Sequence, residues 1–356
     1  MNMLRHAERR EKLRRLMHDQ ELAGLLVTLD ANRYYLSGFE LIDHQVNESA
    51  GCLLITNDGK DWLCTDARYA DAARRIWEPG RVFIYGADSA ASIRTLAKNA
   101  VSGNIGFEES AMSVRFFNTF SEGLTLKPAD GIVEKLRIRK EPEEIQRMEA
   151  AAGLNHKLME RISSELLVGR TEKDIAWTVE RFFRENGAEA LSFPCITAVG
   201  PNAALPHAVP GETRITENTC VLVDVGCRLN DYCSDQTRTF WVGDKPADIF
   251  LDTIALVQEA QQTAINVIRP GMAVSDIYAA AKNFLDDNKV GDRFTHGLGH
   301  GIGLQTHEAP SLNARGTTIL EPGMIVTVEP GLYYPDWGGV RWEYMVLVTE
   351  DACRVL

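Results

Sequence analysis

VLVDVGCRLNDYCSDQTRTFWV, residues 221–242, sets two apolar β-type runs on either side of a polar turn. In an antiparallel pair, residues placed symmetrically about the turn face each other. With the turn centred on Leu229 and Asn230, Asp224 and Asp235 fall opposite one another, their Cβ atoms about 4.5–5.5 Å apart. Two like charges that close, between apolar strands, are destabilising unless one carboxyl is protonated or a cation lies between them. For this hairpin alone, the competing reading is a different register with both aspartates in solvent.

A second hairpin repeats the device. In MIVTVEPGLYYPDWGGVRWEYMVLVT, residues 324–349, a turn centred near Asp336 opposes Glu329 and Glu343. Charged residues inside apolar strands are rarely buried unless paired or metal-bound. Between the hairpins lies HGLGHGIGLQTHEAP, residues 296–310, with His296, His300 and His307. It fits neither the dinucleotide fingerprint GxGxxG nor the zincin motif HExxH. Its glycines let the backbone beside His300 pass close to another strand. Four carboxylates and a histidine suit two divalent ions about 3.5–4 Å apart, of a hard or borderline kind such as Mn²⁺ or Co²⁺. Water held between such ions becomes hydroxide near neutrality, so the chemistry is hydrolysis. Phosphate esters and amides stay equally open at this stage.

Composition agrees without deciding. The chain has 356 residues, 38 basic and 50 acidic, a net charge of −12, and 45 % hydrophobic residues. The acidic balance argues against a nucleic-acid partner, which would need clustered Lys and Arg. No stretch is long and apolar enough to span a membrane, and the charged amphipathic start MNMLRHAERREKLRRLMHDQ lacks the apolar core of a signal peptide. Seven widely spaced cysteines without a CxxC pair read as buried, reduced thiols in a cytoplasmic protein.

The pattern predicts an α/β (α+β) chain of two domains, residues 1–130 and 131–356. In the first, a helix over 4–18 precedes a strand at Gly24–Val27, an aromatic loop at 32–38 and a hairpin around Asn57-Asp58-Gly59. In the second, helices are expected near 142–166, 171–187, 246–268 and 273–288, between β-rich segments. Pro142, followed by Glu143 and Glu144, marks a helix start.

The segments VDVG, YCSDQTRT, HGLGHGIGLQTHE, TVEPGLY and GVRWE resemble the motifs of the pita-bread (M24-type) metallopeptidases, in particular the Xaa-Pro aminopeptidase and prolidase (Xaa-Pro dipeptidase) group. The resemblance covers essentially the whole chain. It implies a creatinase-like N-terminal α/β domain followed by a pita-bread catalytic domain. It implies that Asp224 chelates one metal, that Asp235 and Glu343 bridge both, and that His300 and Glu329 complete the ligand set of the second metal. The metals implied are two divalent ions per chain, Mn²⁺ or Co²⁺ first, with Zn²⁺ or Fe²⁺ as further choices. His207, in NAALPHAVPG, matches a histidine that positions substrate. His307 matches one that stabilises the tetrahedral intermediate or assists the leaving amine, and Arg341 matches an arginine that supports the site and contacts substrate. His296 lines the pocket, and Glu329 handles the proton of the water. The implied activity is hydrolysis of the Xaa-Pro bond, at the N-terminus of peptides or in dipeptides, by a metal-bridging hydroxide.

Because a prolyl amide has no N–H, shape must supply selectivity, and Tyr333, Tyr334, Trp337 and Trp342 are candidates for that wall or for ordinary strand packing. The resemblance also implies a homodimer, and the DARY segment, Asp66–Tyr69, is a further family feature. Four positions depart from the family pattern: Asp231 where a Gly usually precedes the YxSD tyrosine, Gln305 and Thr306 before His307, and Tyr344 after the last glutamate. The competing readings are a relative of the same scaffold doing creatinase-like or lyase chemistry, and an inactive binding scaffold.

Overall fold

The computed structural model describes residues 3–43, 45 and 48–356. Two compact units divide the chain, Met1–Arg137 and Ile138–Leu356. The first is an α/β unit built on a six-stranded sheet. Strand Gly24–Val27 runs parallel to Asn104–Phe107 and antiparallel to Cys52–Thr56. Leu54 pairs with Trp62 across the hairpin that turns at Asp58, as the Asn-Asp-Gly sequence requires. The first helix spans Met3–Asp19.

The expected aromatic loop at 32–38 is instead a helix, Asp30–Ser37. Its polar residues Asn32, Arg33 and Ser37 are buried, which hides the helix from apolar periodicity. Arg33 donates to both carboxylate oxygens of Asp43, at 2.8 and 2.9 Å, and Asn32 donates to Glu108 and Glu134. Partners so distant in sequence leave no local signal.

The second unit encloses β-structure between two pairs of helices. Helix Pro142–Ile162 opens with a capping box, in which the Glu141 N–H donates to Glu144 at 2.9 Å; helix Glu172–Glu185 repeats the device with Thr171 and Asp174. Helices Asp248–Val267 and Val274–Asp287 form the other pair. Strand Thr219–Val225 lies between, hydrogen-bonded to Ile196–Val199 on one side and Gln236–Val242 on the other. Its alternate residues serve two cores. Val221, Val223 and Val225 pack with the first helix pair, whereas Cys220 and Leu222 join the second. A strand buried on both faces reads as a continuous apolar run. Asp224 interrupts that run.

A five-stranded sheet supplies the remaining scaffold, in the order Glu308–Leu312, Gly299–Gly301, Ile325–Val328, Tyr344–Val348 and Cys353–Val355. Six of the seven cysteines are buried and none is in a disulfide. Among the described residues, no helix is long and apolar enough to cross a membrane.

Candidate metal centre

The first hairpin turns one residue later than the sequence reading places it. Asn230 and Asp231 adopt φ values of 51° and 75°, a conformation that short polar side chains tolerate better than Leu229 would. Moving the turn by one residue moves the pairing by two, so Asp224 faces Thr237 rather than Asp235. The register runs on to Arg228–Cys233, which leaves Asp235 near Gly226. A shift of two preserves the face, and the two aspartates become diagonal neighbours instead of opposed ones.

The second hairpin has the expected register. Val328 pairs with Tyr344 and Gly331 with Arg341, both symmetric about Asp336, which sets Glu329 opposite Glu343. Strand Gly299–Gly301 threads between Glu308–Leu312 and Ile325–Val328. A Cβ at Gly299 would collide with the Thr327 carbonyl, and one at Gly301 with the Ala309 carbonyl. Those glycines are what allow His300 to reach the carboxylates.

These elements bring one ligand atom each of Asp235, His300 and Glu343 within 4.8 Å of one another. His300 Nε2 lies 3.4 Å from Glu329 Oε1 and 3.7 Å from Asp235 Oδ2. Its Nδ1 is 3.0 Å from the Gly301 carbonyl oxygen, which only accepts. Nδ1 therefore carries the proton and Nε2 presents a lone pair to the carboxylates, the tautomer a metal ligand needs. Burial holds the imidazole below its usual pKa, favouring this neutral form.

Burial and the neighbouring carboxylates push Asp235 and Glu343 well above the ordinary carboxyl range, and burial raises Glu329 to about 7. Asp224 adds to the repulsion felt by all three. Such a cluster is relieved by protons or by cations. Two oxygens point to cations: Asp224 Oδ1 and Glu343 Oε1 are buried without a hydrogen-bond partner. Their sister oxygens are held, Glu343 Oε2 by the Thr237 hydroxyl at 2.7 Å and Asp224 Oδ2 by Arg341 Nη2 at 2.6 Å. The donor set is oxygen-rich with one imidazole, which suits divalent ions of the Mn²⁺ or Co²⁺ kind.

Arg341 is fully engaged. Nε donates to Thr237 Oγ1 at 3.1 Å, while Nη1 donates to the Pro206 carbonyl at 3.0 Å and the Tyr333 hydroxyl at 3.1 Å. The Tyr333 oxygen sits 2.8 Å from His296 Nε2, and His296 Nδ1 lies 2.7 Å from the Gly297 carbonyl. Nδ1 is thus the donor nitrogen of His296, so Tyr333 donates to Nε2. Burial, with Arg341 nearby, lowers the His296 pKa to about 4. The His307 ring stands 4.1 Å from that of His300, and burial lowers its pKa too. His207 is exposed, one residue after Pro206, and its charge is felt at His296, His307 and Glu329. All nine candidate residues of the sequence reading thus belong to one neighbourhood.

Of the four aromatic candidates, Tyr333 hydrogen-bonds site residues. Tyr334 and Trp337 stack on each other at 5.4 Å and pack against the core. Trp342 faces Arg238, whose guanidinium lies 4.3 Å from the Trp342 ring and 4.1 Å from that of Tyr344. Arg238 also donates to the Glu343 carbonyl at 2.6 Å. Sequence reasoning missed Thr237, Arg238 and Thr327, whose hydroxyl donates to Glu329 Oε1 and accepts from the His300 N–H, both at 3.1 Å. A threonine in a strand is expected for its β-propensity alone, and only the register reveals which carboxylate its hydroxyl meets.

Comparison with known proteins places this site in a family. The model of metallopeptidase family M24 matches residues 146–350, and that of the Creatinase/Prolidase N-terminal domain matches residues 9–139. An Xaa-Pro dipeptidase of Pyrococcus furiosus is 32 % identical over 349 residues, covering 98 % of this chain and 97 % of its own. Among solved structures, an Xaa-Pro dipeptidase from Bacillus anthracis superposes with a TM-score of 0.91 at 33 % identity, covering 99 % of this chain and 97 % of that one. An X-Pro aminopeptidase from Thermotoga maritima gives 0.87 at 27 % identity, covering 97 % and 96 %. With both family models matched in order and relatives aligned along nearly its whole length, the chain belongs to the M24 metallopeptidases and has a pita-bread catalytic domain behind a creatinase-type N-terminal domain.

Proposed function

We propose that this metallopeptidase is an exopeptidase that hydrolyses the Xaa-Pro bond, in dipeptides or at the N-terminus of longer peptides. The observation that carries the reading is the donor cluster of Asp235, His300 and Glu343, flanked by the unpartnered oxygens of Asp224 and Glu343. Support for proline as the residue after the scissile bond comes from relatives at 32 % and 33 % identity named Xaa-Pro dipeptidases. No observation favours creatinase-like or lyase chemistry.

In this reading Asp224, Asp235, His300, Glu329 and Glu343 hold two divalent ions, Mn²⁺ or Co²⁺ first. When bound, the ions supply Lewis-acid polarisation of the scissile carbonyl and acidify water. Glu329, the carboxylate nearest His300 Nε2, takes a proton from the attacking water and passes it on. The proton's destination is the prolyl nitrogen, which leaves as a secondary amine. Burial favours neutral His307, which hydrogen-bonds the tetrahedral intermediate or assists the leaving amine. Arg341, itself held by the Tyr333 hydroxyl, fixes Asp224 and the Pro206 backbone, and with it His207, which positions the substrate. His296 keeps the Tyr333 hydroxyl oriented. The dimer expected of the family belongs to the same proposal.

The test compares Ala-Pro, Ala-Pro-Ala and Ala-Ala with Mn²⁺-loaded protein. The reading expects cleavage of the prolyl substrates and much slower cleavage of Ala-Ala. Faster turnover of the dipeptide marks a dipeptidase, and faster turnover of the tripeptide an aminopeptidase. Equal cleavage of Ala-Ala, or cleavage of none, contradicts the proposal.

A further inference from the structure

Glu172 is a buried carboxylate that none of the chemistry above uses. It opens helix Glu172–Glu185 and is 1 % exposed. Its Oε1 accepts from the Val199 backbone N–H at 2.8 Å and from Asn202 Nδ2 at 2.9 Å; its Oε2 accepts from the Gly211 N–H at 2.8 Å. One carboxylate therefore ties together both ends of the segment 199–211. Backbone bonds reinforce the closure, from Glu172 N to the Thr213 carbonyl and from Lys173 N to the Gly211 carbonyl.

His207 lies in the middle of this segment. Its neighbours Leu205 and Val209 are 58 % and 87 % exposed, so they do little to fix the tip. The tip is held by the Arg341 contact to the Pro206 carbonyl and by Ala208, whose methyl group enters the core. The arm that returns from His207 ends at Gly211, on Glu172. A buried carboxylate is costly unless its oxygens are satisfied, and here they are satisfied by the two ends of one loop.

We propose that Glu172 is the positioning residue for His207, setting the loop that presents this histidine to the substrate. The proposal rests on the reading of His207 as a substrate-positioning group. Replacement Glu172→Gln keeps the shape but turns an NH₂ group toward one end of the loop, where the partners are themselves donors. One arm is then released.

The experiment is a double-mutant cycle in the Mn²⁺-loaded full chain with an Xaa-Pro substrate. Glu172→Gln is expected to raise KM on the order of tenfold while kcat changes by less than about threefold. In a His207→Ala background the same change is expected to add no further loss of kcat/KM. Asn202→Ala, which removes one of the three hydrogen bonds, should show a smaller KM effect that also vanishes without His207. It keeps the cycle decisive should Glu172→Gln not fold. Equal losses with and without His207 would overturn the proposal, since Glu172 would then act elsewhere. Hydrogen exchange gives a readout independent of activity: whichever of the Val199 and Gly211 amides faces the new NH₂ group should exchange faster in Glu172→Gln, and unchanged exchange at both also overturns it. A parent enzyme inactive on every prolyl substrate would instead sink the functional reading, and with it the kinetic half of this proposal.

Discussion

Arg341 Nη2 donates to Asp224 Oδ2 across 2.6 Å, and the other oxygen of Asp224 is buried with no protein partner. The arginine therefore holds a carboxylate in place by one oxygen and leaves the second without a protein donor, as the proposed cation requires. Arg341→Met removes the counter-charge and leaves Asp224 buried, a change that costs about 3–5 kcal/mol in such pairs. Arg341→Lys keeps a charge but loses the planar fork that reaches Thr237, Pro206, Tyr333 and Asp224 together. We expect the lysine variant to fold and to lose about a hundredfold in kcat/KM, as misplaced groups do. Urea denaturation and steady-state kinetics check the two parts.

Asp235→Asn separates repulsion from function. Asp235 is crowded by Glu343, Asp224 and Glu329, so its charge opposes folding when no cation screens it. In chelator the asparagine variant should melt at or above the parent's temperature. With Mn²⁺ its activity should fall by more than about a hundredfold. Near-parent turnover would show that the bridging assignment is wrong.

Arg238 sits between the rings of Trp342 and Tyr344 and donates to the carbonyl of the residue between them, Glu343. Tyr344 is one of the departures from the family pattern, and this stack gives it a physical role. Arg238→Met should loosen the Glu343 backbone and weaken metal binding by about 10–100-fold, the effect typical of groups that orient a ligand. Titration of chelator-stripped protein with Mn²⁺, followed by calorimetry, measures it. Unchanged affinity would reduce the stack to packing.

Glu108 supplies a pH signature in the N-terminal unit. It accepts from the Thr28 and Leu29 amides at 2.6 Å, yet burial raises its pKa from 4.5 to about 7. Between those values the folded state holds a proton that the unfolded chain releases. The associated stability is full below pH 4.5 and is lost as pH rises through 7, on the order of 3 kcal/mol in all. Melting temperatures from pH 5 to 7.5 should therefore fall for the parent relative to Glu108→Gln, whose own stability starts lower and varies less.

Periodicity made the strand Gly24–Val27, the hairpin at Asp58 and the four helices of the second unit legible, because their apolar faces are local patterns. The carboxylates were legible for the opposite reason, as charges in strands that are otherwise apolar. The turn at Asn230-Asp231 was misplaced because its backbone preference outweighs the symmetry of the flanking runs. Helix Asp30–Ser37 was missed because it buries Asn32, Arg33 and Ser37 beside Ala31, Tyr35 and Leu36, and the partners of its polar groups, Asp43 and Glu108, lie outside the helix. Thr237, Arg238 and Glu172 act through contacts 27 to 106 positions away, beyond the reach of any local pattern.

The central claim is that two divalent ions held by Asp224, Asp235, His300, Glu329 and Glu343 make this chain a prolyl exopeptidase. Its most direct test is the rate of Ala-Pro hydrolysis as Mn²⁺ is titrated into chelator-stripped protein. The account predicts no activity without metal and a rise that levels off at two equivalents per chain. Hydrolysis that persists in chelator, or a rate that stays at zero through added Mn²⁺ and Co²⁺, would contradict it.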